Sequence, residues 1–180
     1  MTKVGIVVGS IRENSFSEQL AKNLVGLFPD GYETEFIEIA NLRLYNQDSD
    51  DNVPEVYTTF RETIKGLDAV VFVTPEHNRS FPAALKNALD VGSRPYGSNV
   101  WDGKPALIVS QSPSNLSGFG ANHHLRQVLA FLNVPVVQQP EVYIANVMDL
   151  LGEDGKITNQ DTIGFLQSVV DTYVDFIKKH

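Results

Sequence analysis

Five consecutive residues, Ala69-Val70-Val71-Phe72-Val73, are apolar, and most are β-branched. A strand of that kind has no polar face, so it has to lie inside a sheet covered on both sides. Strand-length apolar runs recur around it, at Val4–Val8, Glu33–Ile39 (through Phe36, Ile37 and Ile39), Ala106–Val109 and a fifth that starts at Val134–Val137. Segments with helical spacing lie between them. Ser15–Phe28 sets Phe16, Leu20, Leu24 and Leu27 on one stripe and stops at Pro29-Asp30-Gly31. Glu55–Lys65 follows Pro54, and Pro82–Gly92 carries Pro82 in its first turn, where a missing N–H is harmless. His123–Leu132 and Thr162–Lys179 complete the set, the latter with Thr158-x-x-Asp161 as a capping box.

Strands that alternate with helices imply a parallel sheet with helices on both faces. A chain of 180 residues suits one domain, residues 1–180, and no stretch rich in Pro or Gly marks a linker. The predicted fold is therefore α/β, a flavodoxin-like three-layer sandwich with a five-stranded parallel sheet in the order 2-1-3-4-5. In that order strands 1 and 3 flank the point where the chain reverses direction across the sheet. The loops after strands 1, 3 and 4 should then converge on one edge.

Each of those loops is chemically unusual. After the first strand comes Gly9-Ser10-Ile11-Arg12-Glu13-Asn14-Ser15-Phe16-Ser17. Ser10, Ser15 and Ser17 offer hydroxyls, the N–H groups of Ser15, Phe16 and Ser17 open a helix, and Arg12 adds a planar cation, a set suited to phosphate. The same residues also suit an ordinary serine-capped helix with a solvated arginine. The loop has neither the Gly-Lys-Ser/Thr ending of a Walker A loop nor the glycine spacing of a dinucleotide fingerprint. After the third strand, Thr74-Pro75-Glu76-His77-Asn78-Arg79-Ser80-Phe81-Pro82 is stiffened by prolines, and its exposed main chain suits the edge of a flat heterocycle. After the fourth, Ser110 to Gly120 is long, small and polar and forms a flexible third wall. His123 and His124 are adjacent, so they face different sides of a helix and make a poor metal pair.

Composition narrows the class. The net charge is -8 with no basic tract, which argues against a nucleic-acid partner and suits solubility or docking to a basic protein. There are no cysteines, hence no disulfide framework, thiolate nucleophile or thiolate metal site, a pattern that fits a cytoplasmic protein. No apolar run approaches the ~20 residues of a membrane span, and no leader is evident at Met1-Thr2-Lys3.

Three segments carry a family resemblance. Gly9-Ser10-x-Arg12-x-x-Ser15, Pro75-Glu76-x-Asn78-x-Ser80-x-Pro82-x-x-Leu85-Lys86-Asn87-Ala88-x-Asp90 and Trp101-x-Gly103-Lys104-Pro105 resemble the NADPH-dependent FMN reductase family, which includes quinone, azo-dye and chromate reductases of flavodoxin-like fold. His124-Leu125-Arg126-Gln127-Val128-Leu129 and Gln139-Pro140-Glu141 fit it too. The resemblance implies bound FMN, with NADPH or NADH as co-substrate. Ser10, Arg12, Ser15, Phe16 and Ser17 would hold the phosphate, and Pro75, Glu76, His77 and Asn78 would line the ring, largely through the backbone. Gln111, Ser112, Ser117 and Gly118 would close the third side. It also implies a homodimer or homotetramer with the site near a subunit interface. His77 and Arg79 stand where the family often has aromatic residues, so they would modulate which substrate reacts.

The implied activity passes hydride from NAD(P)H through FMN to a quinone-like, azo, chromate or flavin acceptor, with donor and acceptor using one site in turn. No side-chain catalyst is required. The alternative is a flavodoxin-type carrier that binds FMN without its own NAD(P)H activity, although Arg12 replaces the threonine-rich phosphate loop of flavodoxins. A serine hydrolase lacks support, since no Gly-x-Ser-x-Gly elbow is present.

Overall fold

The Ala69–Val73 run lies in the middle of the sheet, as its composition requires. In the computed structural model, which describes residues 1–180, the chain runs β1 (Thr2–Val8), α1 (Phe16–Val25), β2 (Tyr32–Phe36), α2 (Glu55–Lys65), β3 (Ala69–Pro75), α3 (Ala83–Ser93) and β4 (Ala106–Gln111). It continues through α4 (Phe119–Phe131), β5 (Val142–Ile144), the short α5 (Val147–Leu150) and α6 (Gln160–Ile177), with one 3-10 turn at Gln47–Ser49. All strand pairs are parallel and the order is β2-β1-β3-β4-β5, as predicted.

The pleat of β3 divides its side chains between two cores. Val70 and Phe72 join Phe60 and Ile64 of α2, Leu85 and Leu89 of α3, and Leu125 of α4. Ala69, Val71 and Val73 join Leu20 and Leu24 of α1 and Leu166, Val170 and Tyr173 of α6. The predicted three layers are thus α2, α3 and α4 on one face, the sheet, then α1 and α6. Trp101 fills the first core between Phe60 and Phe72, at ring-centroid distances of 6.0 and 5.8 Å. Its Nε1 donates to Leu89 O at 3.2 Å, and it lies so close to α3 that a Cβ on Gly92 would fall 2.2 Å from that nitrogen. In the second core, buried Tyr173 donates its hydroxyl to Val70 O at 2.8 Å, and burial pushes its pKa up.

Four expectations change. Val134–Val137 does not begin the fifth strand: Val136 makes one isolated bridge to Ala106, the chain leaves the sheet through Gln138–Glu141, and β5 pairs only at Val142–Ile144. Pro135 and Pro140, which lack N–H donors, interrupt the ladder there. The second strand stops at Phe36, although Ile37 N–H still donates to Ile6 O. The last helix is capped by Asn159, whose side chain accepts from Thr162 N–H at 2.9 Å, rather than by the Thr158 box. The fourth helix begins at Phe119, earlier than His123.

Arg61 is a buried residue that patterning does not single out. Its guanidinium donates to Val91 O at 3.1 Å, Gly92 O at 3.0 Å and Ser98 O at 2.6 Å, and also to Arg94 O. It thereby satisfies carbonyls at the end of α3 and in the following loop. Burial lowers its pKa from the usual arginine range. Arg61→Met keeps the apolar stem and strands those carbonyls. We expect a loss of about 2 kcal/mol, a fall in Tm of roughly 4–8 °C, read by thermal circular dichroism.

Candidate active site

The carboxyl ends of β1, β3 and β4 surround a cleft of about 550 Å³. All of the predicted loops reach it. Ser10, Arg12, Ser15 and Phe16 come from the first, Pro75, Glu76 and His77 from the second, and Gln111 from the third. Gly9, Ile11, Pro82 and Pro113, from the same predicted loops, and Ala83 and Ala84, beyond them at the start of the third helix, complete the lining.

The first loop turns sharply into α1. Asn14 has φ 50°, and Gln19 Nε2 donates back to its carbonyl at 2.8 Å. Ser15 is the cap: its Oγ accepts from Glu18 N–H at 3.1 Å. The N–H groups of Phe16 and Ser17 have no acceptor in the chain. Arg12 lies over the Phe16 ring, 5.7 Å from its centroid, and makes no salt bridge. The chain passes close at Gly9, where a Cβ would sit 3.0 Å from Thr74 Oγ1 and 3.2 Å from Leu85 Cδ2 and would press on both side chains. Free N–H groups, a hydroxyl and an uncommitted guanidinium are the groups that suit an anion.

A family model described as NADPH-dependent FMN reductase matches residues 2–149. The chain belongs to the NADPH-dependent FMN reductase family. It is 48% identical over 176 residues to a quinone reductase of Pseudomonas putida, covering 97% of this chain and 94% of that protein. It is 42% identical to a 2-hydroxy-1,4-benzoquinone reductase of a Burkholderia species, covering 98% and 96%. In structure it is similar to FerB, a flavoenzyme NAD(P)H:(acceptor) oxidoreductase from Paracoccus denitrificans, with a TM-score of 0.93 and 37% identity over 100% of this chain and 99% of that one. Family membership makes the protein an oxidoreductase and makes FMN the ligand to test against the cleft.

In this FMN reductase the second loop is a tight hairpin. His77 N–H donates to Ser80 O at 2.7 Å and Ser80 N–H to His77 O at 2.9 Å, around Asn78 and Arg79 at φ 50° and 65°. Two positive φ values in a two-residue turn give the type I′ geometry. The expectation of freely exposed main chain therefore does not hold at His77, whose N–H and C=O are both paired. Asn78 sits at the turn tip rather than in the cleft lining. The Glu76 carboxylate ties the turn down: Oε1 accepts from Arg79 Nη1 at 3.1 Å and Oε2 from Ala121 N–H at 3.2 Å. Glu76 thus caps α4, whose N-cap residue, Gly118, has no side chain to do so, and this explains the early start of that helix. Gly120 permits the contact, since a Cβ would lie 2.8 Å from Arg79 O.

The third loop is pinned rather than flexible. Ser112 donates to Ser114 O at 2.9 Å, Ser117 to Asn115 O at 3.0 Å, and Ser110 to Ser117 O at 3.0 Å. Gly118, at φ 73°, lies against Ser110 and Gln111, where a Cβ would meet Ser110 Cβ at 2.9 Å. Ser112, Ser117 and Gly118 are accordingly buried in the loop's own structure and absent from the cleft lining. Ser17 is fully buried and also behind the wall, where its Oγ accepts from Gln111 Nε2 at 2.9 Å.

His123 and His124 part company as predicted, bonding Tyr143 Oη and Ser80 Oγ respectively, each at 3.0 Å. Tyr143 is pushed up to about 12, by burial first and then by Glu141. Glu76→Ala removes the remote cap of α4. The expected result is a loss of about 1 kcal/mol of stability, measured by urea unfolding, with faster hydrogen exchange at Ala121 than in the parent.

Proposed function

We propose that this chain holds FMN in the cleft and uses NAD(P)H to reduce a quinone-like acceptor. The observation that carries the reading is the set of uncommitted donors at the start of α1, in a cleft that small or rigid residues also line at Pro75, Pro82, Ala83 and Ala84. The donors match a phosphate, and the small, rigid lining leaves room for a planar ring. A further feature fits the same ligand. Gln111 Oε1 is the buried side-chain atom left without a hydrogen-bond partner, and Gln111 lines this cleft.

In this reading Arg12, Ser10 and the Phe16 N–H hold the phosphate, with Ser15 fixing the helix start that presents them. Pro75, Glu76 and His77 orient the ring, and the hairpin locked by Glu76 keeps that wall rigid. When bound, FMN supplies the two-electron chemistry that no side chain here can supply. One cleft serves both the nicotinamide and the acceptor, so they enter in turn and the kinetics are ping-pong. Arg79 lies 72% exposed with its charge partly answered by Glu76, so with His77 it biases the choice of acceptor at the mouth. Quinones lead the acceptor class because similar proteins are quinone reductases. Azo, chromate and free flavin acceptors complete the proposal.

The test is reconstitution with FMN followed by anaerobic NADPH. The expected outcome is a yellow protein that bleaches on NADPH, recovers its colour with 1,4-benzoquinone and gives parallel double-reciprocal plots. A yellow protein that stays oxidised points instead to a flavodoxin-type carrier. Arg12→Ala should weaken FMN binding about tenfold or more, since charge-assisted bonds contribute ~1.5–3 kcal/mol, with the Tm of the apoprotein unchanged.

We also propose a homo-oligomer. A groove of about 850 Å³ runs between α3 and α4, flanked by Tyr96 and Phe131, which are 92% and 88% exposed. Exposed aromatics of this size beside a groove suit a second copy. The third helix contributes Ala83 and Ala84 to the cleft and Lys86 and Asp90 to the groove, which brings the site near the interface. Phe131→Glu should convert the species seen by light scattering to monomer.

A further inference from the structure

We infer that Ser17 is a positioning residue for Gln111, and that Gln111 Oε1 accepts a hydrogen bond from a hydroxyl of the cofactor's polyhydroxyl chain. This rests on the FMN reading above and reassigns one residue within it. A phosphate-loop serine should present its hydroxyl to the anion. Ser17 does not: it is fully buried, outside the cleft lining, and its Oγ accepts from Gln111 Nε2 at 2.9 Å. That bond joins the first turn of α1 to the last residue of β4, across 94 positions of sequence.

In the structure Nε2 is the end of the glutamine amide that meets Ser17. With Nε2 held by Ser17, the amide's other end is Oε1, an acceptor. It is buried and has no partner, whereas the chain's other buried side-chain polar atoms are satisfied. An unmatched buried acceptor is costly, which argues for a donor supplied from outside the chain. A phosphate monoester is mostly the proton-free dianion at neutral pH, so it meets this need poorly. The position of Gln111 selects among the remaining donors. It pairs in register with Pro75, at the start of the ring wall, and is bonded to α1 behind the anion site. A group midway between phosphate and ring is the hydroxylated chain that joins them.

FMN and riboflavin separate the possibilities, because riboflavin keeps the chain and ring and lacks the phosphate. Dissociation constants are measured by flavin fluorescence for the parent, Ser17→Ala, Gln111→Met and the double variant, with the visible spectrum of each bound flavin and the Tm of each apoprotein. The expected outcome is that both single variants weaken FMN and riboflavin by the same factor, about threefold to tenfold. The double variant should be no weaker than Gln111→Met, and the bound flavin's visible bands should not move. Loss confined to FMN would return Ser17 to the phosphate and overturn the inference. So would unchanged affinity for both flavins, or additive losses in the double variant. Shifted visible bands would place the contact on the ring and overturn the chain assignment. Gln111→Met lies outside α1, so it reports on the acceptor even if Ser17→Ala disturbs that helix. A parent protein that binds neither flavin would remove the FMN reading itself, whereas a parent that binds with unaffected variants removes this inference alone.

Discussion

Everything in the molecule depends on burying β3 on both faces. A strand that contributes Val70 and Phe72 to one core and Ala69, Val71 and Val73 to the other cannot lie at an edge or face water. Covering both faces requires helical crossovers between parallel strands. Parallel strands end on a common edge, so the loops after β1, β3 and β4 meet without any attraction between them. The cleft follows from the direction of the strands. Its chemistry is then a matter of which residues occupy those loops.

The loops divide their polar groups between holding themselves in shape and facing the cleft. Ser15 caps α1, Ser112 and Ser117 close turns in their own loop, and the Glu76 carboxylate caps α4 while answering Arg79. Each of these would count as a ligand-binding candidate by residue type. What is left over is a shorter set: Arg12, the Phe16 and Ser17 N–H groups, and Gln111 Oε1. Rigidity and function are therefore linked here. A hairpin fixed by Glu76 and a third loop pinned by its serines let a small number of uncommitted groups keep their direction, which is what preorganisation requires.

Burial patterns explain what could be read from the chain alone. Alternating apolar runs report which strands are covered, so the sheet order and the layers were legible, as was the convergence of the loops. β5 was misplaced because Val134–Val137 is buried and apolar, yet Pro135 and Pro140 withhold ladder donors beside it. Periodicity registers burial and is blind to hydrogen-bond pairing. The start of α4 escaped for a related reason: its cap comes from Glu76, 45 residues earlier. Around the cleft, residue type pointed to the loops that line it, but it could not separate Ser17, which faces Gln111, from Ser10, which is in the lining. Gly9 carried a legible signal, since a glycine between an apolar strand and a polar loop marks a close backbone approach, here to Thr74 and Leu85.

Charge decides which end of the cleft receives an anion. The chain carries -8 overall, and its cations are mostly engaged: Lys22 with Glu18, Lys86 with Asp90, Arg79 with Glu76, Arg61 among backbone carbonyls. Glu13 and Glu18 are close to Arg12 in sequence, yet Arg12 pairs with neither and lies on the Phe16 ring. Stacking on an aromatic face holds a guanidinium without neutralising it. An acidic protein that keeps one arginine unpaired at the positive end of a helix has concentrated its local field at that point. Arg79 is the wrong candidate for the same role, because the carboxylate that locks its hairpin also shares its charge. In the proposed reading the anion therefore sits at α1, and the hairpin, with its smaller residual field, faces the neutral or weakly charged oxidant that enters the mouth.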